Sequence, residues 1–387
     1  MPKDYTSNRS KEIPVSTIGK LLKILETDKS VFSLGPGELD YASPPNVLKA
    51  VKDAMTKKET HYSPVGGRED LKEAIVKKLR KENGIMVGPE NVIVTTGSTE
   101  GLLLGLMSTV DVGEGVMLTD PGFLAYKPGV EVLDGIPLSV KLHEVDEFQL
   151  TTEGLKDVII PEKTKGLIIN TPTNPTGTVY TKKTLEEVAD FAVEHDLIIF
   201  SDEAYEKFVY EGKHISIGSL SGMSDRVVTL HSFSKTYAMP GFRVGYAVGE
   251  ENIIKAMKDL HVFTTLCTPT VSQIAALEAL KGPQKHIQTM VDDYNKRRLY
   301  MVKRLNDMIG VRCIKPHGAF YAFPNIDYFK TSSYKFAEKL LKKAKVAVIP
   351  GTEFGQAGEG FIRCSYATSM DKIKIALNRM ENFVKGL

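Results

Sequence analysis

Six short runs rich in β-branched and other apolar residues, Asn91 to Thr96, Gly115 to Thr119, Gly166 to Asn170, Leu197 to Asp202, Val227 to His231 and Val244 to Val248, alternate with stretches of helical periodicity. Apolar runs this short suit strands covered on both faces, and their alternation with helices is the pattern of a largely parallel sheet. Between two of them, Thr184 to His195 reads as a crossover helix. Thr184-Leu185-Glu186-Glu187 fits a capping box, and Leu185, Val188, Ala189 and Ala192 share one face. After Gly282-Pro283 a long helical pattern places Ile287, Met290, Val291, Tyr294, Met301 and Leu305 near one face, and a last one from about Asp371 carries Ile373, Ala376, Leu377, Met380 and Val384. The expected fold is α/β, a mostly parallel central sheet flanked by helices. At 387 residues the chain exceeds the size at which single cores stop growing. It is expected to divide into a large domain, 46–285, and a smaller α+β domain built from 1–45 and 286–387.

Charge narrows the ligand. The 50 Lys and Arg against 48 Asp and Glu leave a net +2, too weak a field to draw nucleic acid or a membrane surface, so a small molecule is expected. Cys267, Cys313 and Cys364 lie far apart without CxxC spacing, which argues against a disulfide framework and a thiolate metal site and fits a reducing cytoplasm. The opening Met1-Pro2-Lys3-Asp4-Tyr5-Thr6-Ser7-Asn8 has no apolar leader core, and no run approaches bilayer length, so a soluble, unprocessed protein is expected. No HExxH, GxGxxG or GxxxxGK[ST] pattern occurs, and Gly218-Ser219-Leu220-Ser221-Gly222 has the wrong order for a nucleophile elbow. No metal is expected.

The chemistry concentrates in Ser232 to Tyr246, where Lys235 follows Ser232 and Ser234, a glycine-containing turn comes next, and Arg243 stands eight residues later. A lysine amine condenses with an aldehyde, while hydroxyls and a guanidinium surround a phosphate ester, so the segment suits pyridoxal 5'-phosphate. An isolated lysine is most often a solvated one, but this lysine follows the strand Val227 to His231 and so lies at the carboxyl edge of the sheet, where open α/β folds bind ligands. Gly97-Ser98-Thr99-Glu100-Gly101 opens a helix after another strand. It reads either as an ordinary N-cap or as a phosphate cradle of free N–H groups. Asp202 closes a very apolar run, with Tyr205 three residues on: either a helix-capping aspartate beside a packing tyrosine, or a carboxylate for a pyridine nitrogen beside a hydroxyl for the ring oxygen. Asn174, in Asn170-Thr171-Pro172-Thr173-Asn174-Pro175-Thr176-Gly177, is a turn residue or an amide donor at the same edge. Arg363, in an apolar strand-like run, either faces solvent at a sheet edge or captures a carboxylate in bidentate fashion.

With those residues placed, the chain resembles, over nearly its full length, the class I/II aminotransferases of pyridoxal-phosphate fold type I, in the subgroup of prokaryotic aspartate and aromatic aminotransferases. The Ser232 to Gly245 signature carries the likeness, supported by Gly35-Pro36-Gly37-Glu38, Tyr62-Ser63-Pro64-Val65-Gly66-Gly67, the Asn174 turn, Asp202 with Tyr205, Gly318-Ala319-Phe320-Tyr321 and Arg363. The resemblance implies that Lys235 holds the cofactor aldehyde and then moves the substrate Cα proton. It implies that Asp202 pairs with the pyridine nitrogen, Tyr205 and Asn174 bind the ring oxygen, and Phe123 stacks on the ring. Ser98, Thr99, Ser232, Ser234 and Arg243 would hold the phosphate, joined by Tyr62 from a neighbouring subunit of a homodimer. Arg363, with Gly37 close by and Asn174, would take the substrate α-carboxylate. The implied reaction moves an α-amino group from an amino acid to a 2-oxo acid, 2-oxoglutarate foremost. Some dicarboxylate-preferring relatives have a lysine where this chain has Thr99, so an aromatic or broad donor range stands beside aspartate. A β-lyase acting on β-substituted amino acids shares the fold and is the alternative enzyme. A non-catalytic cofactor-binding regulator would need a DNA-binding module for which the chain has no room.

Overall fold

The computed structural model describes residues 4–7, 10–11 and 17–387, so parts of the segment 1–45 assigned to the smaller domain lie outside the described residues. Seven strands form the central sheet: β1 (Val92–Thr95), β2 (Gly115–Asp120), β3 (Ile136–Lys141), β4 (Thr164–Asn170), β5 (Ile198–Asp202), β6 (Val227–Ser232) and β7 (Gly245–Val248). They lie in the order β1-β7-β6-β5-β4-β2-β3. The pairs from β6 across to β3 are parallel, whereas β7 runs antiparallel to both β6 and β1. Two reversals restore direction, so β1 runs with the parallel strands and the chain leaves β1, β2, β4, β5 and β6 at one edge. The chain enters β7 at that same edge. Register fixes the neighbours there: Asn170 stands opposite Asp202, and Gly245 opposite both Ser232 and Thr95.

Burial explains why the sequence showed six of these strands. β1, β2, β5 and β7 are buried at every position, as continuous apolar runs require. β3 is the exception, an edge strand with exposed Ile136 and Lys141 and an internal Pro137, which the apolar-run criterion passed over.

Helix α1 (Ser98–Thr109) follows β1 and α2 (Lys182–Glu194) connects β4 to β5. α2 begins earlier than expected. Its cap is Thr181, whose side chain accepts from the Thr184 backbone N at 3.0 Å, while Thr184 is buried in the first turn with its hydroxyl on Gln149. Cap geometry goes to the last extended residue, and Thr181 is that residue. The long helix α3 (Lys285–Asn306) buries Ile287, Met290, Tyr294, Met301 and Leu305 as its periodicity predicts.

The C-terminal part adds a small antiparallel sheet of β8 (Tyr321–Ala322), β9 (Ile349–Pro350) and β10 (Ile362–Ser365), in the order β9-β10-β8, and the final helix α4 (Met370–Lys385). Phe32–Ser33 pairs in parallel with Val346–Ala347, tying the N-terminal segment to this layer. One buried cluster runs from Tyr205 and Phe208, just past β5, through Tyr294 and Phe320 to Ile373 and Leu377. The small sheet is thereby packed over the carboxyl edge of the large one. A cleft remains between them.

Candidate active site

Most of the strand ends along that edge deliver polar side chains to one cleft of about 180 Å³. Its lining brings together Ser98, Thr99, Phe123, Asn174, Asp202, Tyr205, Ser232, Ser234, Lys235 and Arg243, and also Tyr126 and Asn170.

Lys235 lies in the short helix Phe233–Thr236, which is entered directly from β6 and capped by Ser232 through the Ser234 backbone N. Its ammonium donates to the Gly37 carbonyl oxygen at 2.5 Å and stands over the rings of Phe320 and Tyr205 at 5.6 and 5.9 Å from their centroids. Burial, reinforced by the Arg363 charge, pulls its pKa down to about 8. An amine so tuned is available as nucleophile and base near neutrality.

Around the start of α1 the backbone decides the geometry. Gly97 has φ +93, and a Cβ there would come 2.7 Å from Arg243 Nη2, so only glycine lets the guanidinium close over the turn. Gly97 is also the N-cap of α1, and it has no side chain to cap with. The capping reading of Ser98 and Thr99 therefore falls away; both begin the first turn and line the cleft. First-turn N–H groups, two hydroxyls and the exposed Arg243 form an anion cradle. Arg243 Nη1 also reaches Ser234 Oγ at 3.4 Å and the Pro240 carbonyl at 3.0 Å.

Asp202 caps the following turn by accepting from the Ala204 N at 3.1 Å, and it faces the cleft as well. The sequence offered a helix cap, and the segment that follows is a turn. The other Asp202 carboxylate oxygen accepts from Tyr126 Oη at 2.9 Å. Burial raises its pKa to about 6 against the pull of those bonds. A buried carboxylate held only by neutral donors is suited to a cationic ring nitrogen. Tyr126 was missed by sequence reasoning; it stands one helical turn beyond Phe123, and that spacing was the available signal. The two rings meet edge to face at 5.5 Å between centroids.

Asn170 was seen only as part of a turn motif. It donates to the Asp202 carbonyl at 2.8 Å and accepts from the Asn174 N at 2.8 Å, binding the ends of β4 and β5 together. Asn174 in turn accepts from Arg363 Nη1 at 2.8 Å, and Arg363 Nη2 donates to the Gly35 carbonyl at 2.6 Å. Arg363 is 2% exposed, on the central strand of the small sheet, between the rings of Tyr321 and Phe354 at 4.4 and 4.7 Å. The solvent-facing reading is thereby excluded. Its Nε is buried without a hydrogen-bond partner, a donor left for a ligand. Tyr205 shares a 2.9 Å hydrogen bond with Tyr321 Oη, so the hydroxyl expected on a ring oxygen is held within reach of the cleft by a second tyrosine. Tyr62 is not in the lining and is 83% exposed.

The donor set fits pyridoxal phosphate part by part: an amine for the aldehyde, a cradle for the phosphate, a buried carboxylate for the ring nitrogen, and Phe123 with Ala204 as apolar faces. Fold and site together define an amino-acid-transforming enzyme of pyridoxal-phosphate fold type I. The comparisons make the assignment specific. The family described as aminotransferase class I and II matches residues 29–380. The aromatic-amino-acid aminotransferase 2 of Thermococcus litoralis is 43% identical, and the aspartate aminotransferase of Pyrococcus abyssi 44%, each over 383 residues and 98% of both chains. Among solved structures, the aspartate aminotransferase of Thermus thermophilus with maleate superposes with a TM-score of 0.92 at 35% identity, covering 98% of this chain and 100% of that one. The chain belongs to the class I and II aminotransferases and is a pyridoxal-phosphate-dependent transaminase; the β-lyase alternative is not favoured.

Proposed function

We propose that this aminotransferase takes its amino group from aromatic or a broad range of amino acids, aspartate among them, and passes it to a 2-oxo acid, with 2-oxoglutarate as the acceptor. Lys235 carries the reading, as an amine with pKa about 8 at the centre of the cleft. The bound cofactor supplies an electron sink that makes a substrate Cα proton removable. Lys235 would hold the aldehyde carbon and, as a neutral amine, would take and return the proton at the substrate Cα. Asp202, held by Tyr126, keeps the ring nitrogen protonated. Tyr205 and Asn174 orient the ring oxygen, Phe123 covers the ring, and Ser98, Thr99, Ser232, Ser234 and Arg243 fix the phosphate. Arg363 with Asn174 and the Gly37 segment takes the α-carboxylate, which donor and acceptor share.

The donor range follows from the cations. Lys235 and Arg243 are the cationic residues of the lining and Arg363 adjoins it; each has a role above, and Thr99 adds none. A second carboxylate on the substrate thus finds no dedicated cation among the described residues of the lining, which favours neutral and aromatic side chains. Relatives bearing both aromatic and aspartate names agree with a broad range. The exposed Tyr62 supports a homodimer in which this hydroxyl completes the neighbouring phosphate site. The balanced charge and the free, buried Cys267, Cys313 and Cys364 suit a reducing cytoplasm without nucleic-acid partners, and no helix among the described residues is long and apolar enough to cross a membrane. A large domain at 46–285 and a smaller one at 1–45 and 286–387 are part of this reading, supported by the separate sheets at 92–248 and 321–365.

Lys235→Ala is expected to bind the cofactor by its phosphate cradle yet lose turnover and the visible absorption of the lysine-bound form. Normal turnover in that variant would overturn the assignment.

A further inference from the structure

Asp120, the last residue of β2, has no part in the roles given above, yet it is buried and fully engaged. Its carboxylate crosses from the large sheet to the loop between β9 and β10, where one oxygen accepts from the Gln356 N at 3.0 Å and the other from the Ala357 N at 2.9 Å. The contact is shaped for this carboxylate. Gly355 has φ +127, and a Cβ there would lie 2.0 Å from Asp120 Oδ1. A second strap runs beside it, from the Gly122 N to the Phe354 carbonyl at 2.8 Å.

The two residues that this clamp holds both face substrate chemistry. Phe354, on the loop, is buried with its ring 4.7 Å from the Arg363 guanidinium carbon. Phe123, three residues after Asp120, lines the cofactor cleft and meets Tyr126, the donor to Asp202. We propose that Asp120 is a positioning residue for substrate binding: by clamping Gln356 and Ala357 it seats Phe354 against Arg363 and so fixes the guanidinium for the α-carboxylate. The proposal rests on the reading of Arg363 as the carboxylate grip.

The test uses holoenzyme with Asp120→Asn, Asp120→Ala and Arg363→Lys, measuring kcat and KM for donor and acceptor, cofactor affinity and Tm. Donor and acceptor share the α-carboxylate, so Asp120→Ala raises both KM values by the same factor, roughly tenfold, the scale of one hydrogen bond to a charged group. Asp120→Asn keeps one acceptor and falls in between, while kcat and cofactor affinity stay near wild type. A merely structural residue would lower Tm with both KM values unchanged, and that result overturns the proposal. If Asp120→Ala does not fold, the isosteric Asp120→Asn decides by the same criterion. Unchanged KM in Arg363→Lys would remove the carboxylate reading itself, and the clamp's role with it; raised KM there with unchanged KM in Asp120→Asn would remove the clamp alone.

Discussion

Burial acts on Lys235 and Asp202 with opposite sign, because it disfavours charge on both: the amine is pulled down to about 8 and the carboxyl pushed up to about 6. A shared low-dielectric cleft thus prepares a base and a cation partner together, before any ligand enters. Tyr126 tempers this by donating to Asp202. Tyr126→Phe removes a hydrogen bond to a charged group, worth about 1.5–3 kcal/mol. We expect weaker cofactor binding and at least a tenfold lower kcat, with the pH profile displaced upward because the Asp202 pKa rises further; an unchanged pH profile in steady-state assays would show that the bond is idle. Asp202→Ala should keep bound cofactor and lose most of the rate, which single-turnover kinetics would show. Lys235, Asp202, Asn174 and Arg243 were legible from sequence because each stands at or near a strand terminus on one edge of the sheet, where position implies exposure to a ligand. Tyr126 had only its spacing from Phe123 as a signal, since its bond to Asp202 depends on how the helix Tyr126–Glu131 packs against α1, β2 and β3. Arg363 had two readings that only the strands on either side of β10 could separate.

At the scale of elements, the sheet edge is assembled from behind as well as from the cleft. Beneath β5, Glu203 accepts from Ser201 and Ser216 at 3.0 and 2.7 Å and lies 2.7 Å from His214, while Glu206 is paired with Lys78, which also donates to Asn83 at 2.7 Å. Ligand atoms of Glu203, Glu206 and His214 lie within 4.8 Å of one another, and the Lys78 ammonium already provides the cation for Glu206. This cluster ties the helix Glu69–Lys78 to the turn that presents Asp202. Lys78→Met would strand a buried Glu206 and is expected to cost about 3–5 kcal/mol, visible in denaturant unfolding. A cost below about 1 kcal/mol would mean that the ion pair is poorly formed. None of this was readable in the sequence, because a buried ion pair joining residues 78 and 206 leaves no local pattern. The strands were readable because buried runs are apolar throughout, and β3 escaped because it is an exposed edge.

For the whole molecule, the cleft exists because the small sheet is packed on the carboxyl edge of the large one, with Gly35 and Gly37 from the N-terminal segment contacting Arg363 and Lys235. Cofactor binding should therefore stabilise both layers, and its pH dependence has a definite sign. The folded Asp202 pKa, about 6, lies above the ordinary 3.8, so the cofactor-free protein loses stability from this group as pH rises from about 4 through 6. A ring cation pairs with the ionised form alone, so the increase in Tm on adding cofactor should be larger at pH 7.5 than at pH 5, and Asp202→Asn should flatten that difference. The central claim, amino-group transfer through Lys235, is tested most directly by mixing purified holoenzyme with single amino acids in the absence of any acceptor and measuring oxo acid, ammonia and visible absorbance. The account predicts about one oxo acid formed per active site, no ammonia, loss of the visible band in step, and restoration by 2-oxoglutarate. Sustained oxo-acid production with release of ammonia, or no change with any amino acid, would contradict it.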